Sequence, residues 1–298
     1  MSVVVQRRRG TLRYAPLRQP QAEVAFESPT IAGRLASLIL NPFKNYLIPA
    51  SWLRWLVKHS RSPLIAESLQ RPGGWRAMEI IYRNDEPLDW FDRQALRSNP
   101  ICMAARNRRR IVIGLLTRLI AKHAQIGPVT IVGVGAGPGH HVQSAVRLSG
   151  IPASRIEAWL IDRDRDAQQA GQALASNLGL TGTVNFLQGD ALRISETLPS
   201  VRAHIVKLVG LIEYLTDEQA LELLQALQGS MHPGASLVTH GFVDPYGGGR
   251  FLARVFGLRH HRRGEKQLRA LLESAGLRVT ESVMEPANIH PIVVAEKF

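Results

Sequence analysis

The sequence predicts an α/β protein in which a mostly parallel sheet, covered by helices on both faces, follows an all-helical region. Three observations carry that reading. Apolar spacing is helical from about Ser28 to Lys122 and changes character near Gly127. Beyond Gly127, short β-rich runs alternate with helical ones, the pattern of a parallel sheet with crossover helices. The stretch "IVGVGAGPGHHVQSAV", Ile131 to Val146, places Gly133, Gly135, Gly137 and Gly139 between an apolar run and a helical one. A backbone so stripped of side chains is one that a ligand can approach closely.

Taken in order, residues 1–27 are basic and lack the apolar core and small-residue cleavage site of a secretory signal, so they read as a mobile arm. Residues 28–125 are expected to be helical, through "IAGRLASLIL", "SWLRWLVKH" and "NRRRIVIGLLTRLIAKH", with Pro42, Pro49, Pro63, Pro72-Gly73-Gly74 and Pro87 as punctuation. The most apolar early stretch, Ile31 to Val57, is interrupted by Arg34, Pro42, Lys44, Pro49 and Arg54, and so cannot span a bilayer as an unbroken apolar helix. From residue 126 to 298, strands are expected at "PVTIVGV", "IEAWLID", "TVNFLQG", "AHIVKLVG", "ASLVTHGFV", "RVTESVME" and "HPIVVAEKF". Thr216 followed by Gln219 is a capping-box pattern that starts a helix there. "MHPGASLVTH" predicts a Pro-Gly turn directly before a strand.

Composition bounds the class. With 298 residues and 45% hydrophobic content, the chain can build one large domain with an appendage or two modest ones. The net charge of +13 favours anionic company: nucleic acid, an acidic membrane surface or an acidic ligand. Cys102 is the only cysteine, so no intrachain disulfide forms, and the cytoplasm is the default expectation. A homodimer is compatible with the sequence.

The glycine loop decides between ligands. A dinucleotide fingerprint needs G-x-G-x-x-G, but its third glycine falls on His140 counting from Gly135, or on Pro138 counting from Gly133. No Gly-Lys-Ser/Thr follows, which excludes a phosphate-cradling P-loop. What fits is G-x-G-x-G at Gly135, Gly137 and Gly139, with Asp162 ending the second strand 23 residues after Gly139 and Asp190-Ala191 following the third. This arrangement resembles motif I and its partner acids in the class I S-adenosylmethionine-dependent methyltransferases. Within them it is most similar to a family of methyltransferases of mostly unassigned substrate, through "GAGPGHHV", "GLIEYLTDEQA", "HPGASLVTHG" and "HPIVVAEKF", with weaker echoes in "YRNDEPLDWFDR" and "AARNRRRIV". The resemblance implies a Rossmann-like sheet with an antiparallel last strand and S-adenosylmethionine as cofactor. It also implies that the glycine loop, Gly133 included, packs on the methionine part, that Asp162 takes the ribose hydroxyls, and that Asp190 and Ala191 lie near the adenine. Gly133 stands where the superfamily usually carries an acid, which removes one familiar contact to the cofactor's amino group.

Methyl transfer from a sulfonium is an in-line displacement, so few side chains are obligatory beyond those that align the acceptor and take its proton. The loop "KLVGLIEYL" lacks the Asn/Asp-Pro-Pro-Tyr of many amine methyltransferases, and carries Glu213 and Tyr214 instead, as candidates for substrate contact, helix capping or packing. His240, at the end of the fifth strand, is the candidate general base for a hydroxyl acceptor. The adjacent pairs His140-His141 and His260-His261 lack metal-site spacing, and no metal is expected. The helical region is expected to act as a lid supplying Tyr82, Trp90, Arg106 and Arg109 to a small-molecule substrate. The alternatives are an RNA methyltransferase using the basic arm and arginine runs, and a non-enzymatic protein at a membrane surface anchored by Trp52 and Trp55.

Overall fold

The computed structural model describes residues 26–198 and 200–298. The basic arm expected at 1–27 therefore lies, apart from Phe26 and Glu27, outside the described residues. One sheet of seven strands organises the chain: β1 (Val129–Val134), β2 (Ile156–Asp162), β3 (Val184–Gln188), β4 (Ala203–Leu208), β5 (Met231–His240), β6 (Leu277–Met284) and β7 (Pro291–Lys297). Their order is β3-β2-β1-β4-β5-β7-β6, with β1 to β5 parallel and β7 antiparallel to both of its neighbours. The order reverses between β1 and β4, so the crevice beyond their carboxyl ends is where a ligand fits.

Before the sheet run α1 (Ile31–Pro42), α2 (Ala50–Lys58), α3 (Pro63–Gln70), α4 (Trp75–Arg83), α5 (Trp90–Leu96) and α6 (Pro100–Ala124). Within it lie α7 (His140–Leu148), α8 (Arg165–Asn177), α9 (Ile194–Thr197), α10 (Asp217–Gly229), α11 (Gly249–Phe256) and α12 (Glu265–Ser274). Local signals place several starts. Thr216 and Gln219 form the expected reciprocal capping box of α10. Ser62 and Asn99 cap α3 and α6, each with proline at the first helical position, where its missing N–H costs nothing.

Two sequence expectations need correction. The boundary between helical region and sheet domain does not fall at 125/126, because α6 belongs to the sheet. Its Val112, Leu116, Leu119 and Ile120 are buried in one core with Ile131 of β1, Ile205 of β4, Val238 of β5 and Val294 of β7. The region that can act as a lid is thus the shorter stretch before α6. Secondly, Pro233-Gly234 does not precede β5. The strand begins at Met231, and its pairing with β4 jumps from Ala203↔Met231 to Ile205↔Ser236, a bulge in which Gly234 takes φ +75°.

The opposite face of the sheet packs on α10 and α12 through Leu223, Leu224, Leu227, Leu268 and Leu272. Both faces of the sheet are therefore covered, as the continuous apolar runs of β1 and β4 require.

Candidate active site

The site grows from the turn after β1. Gly135, Gly137 and Gly139 have φ of +55°, +56° and +77°, the left-handed region that side chains other than glycine rarely occupy. The backbone N–H of Gly137 donates to Asp162 Oδ2 (2.7 Å), and that of Asp164 donates to Oδ1 (2.9 Å). One carboxylate at the end of β2 thus holds the glycine loop and its own following turn, and each oxygen keeps a lone pair for a ligand. Asp190 caps the short turn Ala191–Arg193, accepting from the N–H of Leu192 (3.0 Å).

Opposite the loop stands the start of α4. Trp75 Nε1 donates to Asp164 Oδ2 (3.0 Å), and Arg76 pairs with Asp166 (2.6 Å), so the lid is tied to the entry of α8. Between these walls lies a cleft of about 730 Å³ bordered by Gly135, Gly137, Asp162, Asp190 and Ala191 on the sheet side and by Trp75, Met78 and Tyr82 on the helical side. Its floor carries Arg108, His141, Lys207 and Tyr214. The size suits a ligand with room for a small co-substrate.

The floor is electrostatically unusual. Lys207 is the only charged residue in β4, and its Nζ donates to the carbonyls of Val209 (2.7 Å) and Gly135 (3.4 Å). Burial, aided by the nearby Arg108 charge, lowers its pKa to about 8. Burial and Arg109 lower His140 to about 3, and burial with Lys207 and the arginines holds His141 well below its ordinary value. Both imidazoles are neutral at pH 7, and the Nε2 atoms of both are buried without a protein partner. Burial and the Glu213 charge raise Tyr214, which keeps its proton.

Not every residue singled out in the sequence reaches this cleft. Gly133 sits within β1, where a Cβ would fall 2.7 Å from Leu160 Cδ2, and Gly139 backs onto the same leucine. Gly133 is a packing glycine; Gly133→Ala is expected to cost about 1–3 kcal/mol of stability through overpacking, read as a lower Tm with unchanged ligand affinity in the folded protein. Trp90 is 64% exposed and rests on Phe91. Arg106 is buried in an ion pair with Glu27 (2.5 Å) and donates to the Leu96 carbonyl (3.0 Å). Arg109 lies beneath Tyr82, 4.9 Å from the ring centroid, and supports that side chain without bordering the cleft. Tyr82 and Tyr214 do border it.

His240 is corrected as a general base. It is fully buried, its Nδ1 donates to the Gly241 carbonyl (2.8 Å), and its Nε2 accepts from the Gly210 N–H (3.1 Å) and the Arg108 guanidinium (3.0 Å). Its lone pair is already taken by the Gly210 N–H and Arg108, and the ring has no exposed surface, so it cannot take a proton from an acceptor. Glu213 is likewise buried, with Oε1 3.3 Å from Arg108 and Oε2 3.3 Å from His240 Nε2. Together these two residues position Arg108. Trp75, Met78 and Lys207 are site residues that the sequence reading did not mark, and Arg108 and His141 stood in it only as members of an arginine run and a histidine pair. A lone lysine in the apolar strand "AHIVKLVG" was the one available signal.

An elongated ligand with a vicinal diol fits this arrangement. Asp162 offers two oxygens to a diol, Asp190 and Ala191 flank one end, and the positively charged floor at Lys207 and Arg108 suits a carboxylate at the other. Asp162→Ala is expected to weaken binding of such a ligand by about 1.5–3 kcal/mol, because charge-assisted hydrogen bonds are lost and the Gly137 N–H is released. Calorimetric titration with S-adenosylmethionine checks this, and an unchanged Kd would remove Asp162 from the site.

Comparison with known proteins agrees. Residues 89–297 match a family model described as "Putative methyltransferase". The match starts ahead of α6, in keeping with the weaker upstream similarity. Among solved structures, the fold resembles that of a Bordetella parapertussis protein described as a possible exported protein, at TM-score 0.58 and 18% identity, covering 89% of this chain and 96% of that one. It also resembles magnesium protoporphyrin IX methyltransferase from Synechocystis, solved with S-adenosylhomocysteine, at TM-score 0.55 and 13% identity, covering 88% and 99%. An O-methyltransferase family protein from Burkholderia thailandensis follows, at TM-score 0.54 and 14% identity, covering 79% and 71%. No curated protein matches the chain in sequence. With the family matched over most of the chain and the glycine loop, Asp162 and Asp190 gathered at one cleft, the chain belongs to this methyltransferase family and is a class I enzyme whose cofactor is S-adenosylmethionine.

Proposed function

We propose that the enzyme methylates a small molecule held between α4 and the floor of the cleft. The observation that carries this reading is the closure of the cleft by Trp75, Met78 and Tyr82, with Trp75 and Arg76 tied to Asp164 and Asp166 across it. Such a lid leaves room for a compact acceptor, whereas a structured RNA would need an open basic groove. The Synechocystis neighbour, a methyltransferase of magnesium protoporphyrin IX, supports the same substrate size class.

In this reading Asp162 holds the ribose hydroxyls, Asp190 and Ala191 border the adenine, and the backbone of Gly135 and Gly137 lies against the methionine part. Lys207 and Arg108 face its carboxylate. The cofactor, when bound, supplies an activated methyl on a sulfonium. The chain's own contribution is alignment and exclusion of water: the aromatic wall of Trp75, Tyr82 and Tyr214 confines the acceptor, and Arg109 supports the Tyr82 ring.

Incubation of the full chain with deuteromethyl-labelled S-adenosylmethionine and a cell extract, separated into small-molecule and RNA fractions, tests the proposal by mass spectrometry. Label in the small-molecule fraction supports it. Label confined to RNA would replace it with the nucleic-acid reading.

A further inference from the structure

We propose that the N-terminal helices dock the enzyme on a lipid bilayer carrying anionic headgroups, with α1 and α2 lying in the interface. The apolar surface there has no protein to cover it among the described residues. In α1 only Asn41 is buried, while Ile31, Leu35, Leu38 and Ile39 are each more than half exposed. In α2, Trp52 and Trp55 are 69% and 59% exposed with ring centroids 6.3 Å apart, although Leu53 and Val57 on the other face are buried. An ordinary surface helix shows the reverse: its apolar stripe faces inward and its outer face is polar. Inward, α2 packs Leu53 and Val57 on Ile65 and Val255, and the contacts of α1 and the turn after it are polar. Asn41 bonds the Tyr246 carbonyl, Asn45 the Gly247 carbonyl (2.7 Å), and Arg254 the carbonyls of Lys44 (2.8 Å) and Ile48 (2.8 Å). These hydrogen bonds and that small cluster fasten the inner side to the body, and Leu35, Leu38, Ile39, Trp52 and Trp55 are left facing out.

Charge selects the occupant. Residues 1–61 contain ten lysines and arginines against Glu23 and Glu27, so this fifth of the chain carries eight of its thirteen excess positive charges. Glu27 is itself neutralised by Arg106. Lys58 and Arg61 are exposed beside the tryptophans. Apolar side chains flanked by tryptophan and cations, with almost no acid, match the apolar boundary and anionic headgroups of a bilayer. A second copy of this chain would present the same positive charge to itself. No helix among the described residues is long and apolar enough to cross a membrane, and α1 at 12 residues is well short of a span, so the contact is one of lying on the surface.

Vesicle co-sedimentation of the full chain tests this, with phosphatidylcholine vesicles against the same vesicles containing phosphatidylglycerol. The chain is expected to sediment with the anionic vesicles, less so at high salt. The double variants Trp52→Ser/Trp55→Ser and Leu38→Ser/Ile39→Ser should each lower the partition at least about tenfold while leaving S-adenosylmethionine affinity and Tm unchanged. Absence of sedimentation with anionic vesicles overturns the proposal. So does a dimer, seen by light scattering, that the same variants break without any vesicle binding, since a second copy would then be the occupant. Vesicle binding that appears only after residues 1–25 are removed overturns it too, by making that segment the cover.

Discussion

Arg108→Met is expected to destabilise the folded protein by about 3–5 kcal/mol, because it strands the Glu213 carboxylate in the interior without its cation. Arg108 and Glu213 have side chains only 4% and 5% exposed, so water cannot replace the lost partner. The double variant Arg108→Met/Glu213→Gln should recover much of that loss, since a neutral amide leaves no buried charge unpaired. Chemical denaturation of the single and double variants measures this directly, and equal instability of both would show that the ion pair is not what Arg108 contributes. The same pair makes a pH prediction. Burial works against a charge on Glu213, yet contacts with His240 and Arg108 hold its carboxyl well below the usual range. A group whose folded pKa is depressed stabilises the protein above its unfolded pKa of about 4.3 and loses that contribution as pH falls toward the folded value. Wild-type Tm should therefore fall below about pH 4 more steeply than that of Glu213→Gln.

Gly137→Val is expected to reduce kcat/KM by at least about 10² while the protein stays folded, the sum of a left-handed backbone that a β-branched residue resists and the intrusion of a side chain into the cleft. A Cβ at this position would sit 3.3 Å from the Trp75 Cβ, which closes the gap between glycine loop and lid. The N–H that Gly137 gives to Asp162 would shift with it. Steady-state kinetics together with a cofactor titration separates this from unfolding. Retained turnover would show that the loop is only a connection.

The sheet, the glycine turn and the two acids at strand ends were legible in the sequence because each depends on local chemistry: alternation of strand and helix, positive φ at Gly135 and Gly137, and a carboxylate at the end of an apolar strand or two residues past it. The residues that support the cleft from behind were not legible. α6 reads as one more amphipathic helix, and nothing local reveals that its apolar stripe faces the sheet while Arg108 on the same helix enters the cleft. His240 sits where the fifth strand was expected to end, but the partners of its Nε2, Gly210 and Arg108, come from two distant parts of the chain. A histidine's role follows from those partners, and they are tertiary facts. Lys207 was recoverable in principle, since a single charge inside a buried strand must be satisfied, here by the carbonyls of Val209 and Gly135.

The most direct test of the central claim is a crystal structure of the chain with S-adenosylhomocysteine. The account predicts the ribose hydroxyls within hydrogen-bond distance of Asp162, the adenine beside Asp190 and Ala191, and the amino-acid end on the floor formed by Lys207 and Arg108, beneath Trp75 and Tyr82. A ligand seated elsewhere, or one whose ribose makes no contact with Asp162, would contradict it.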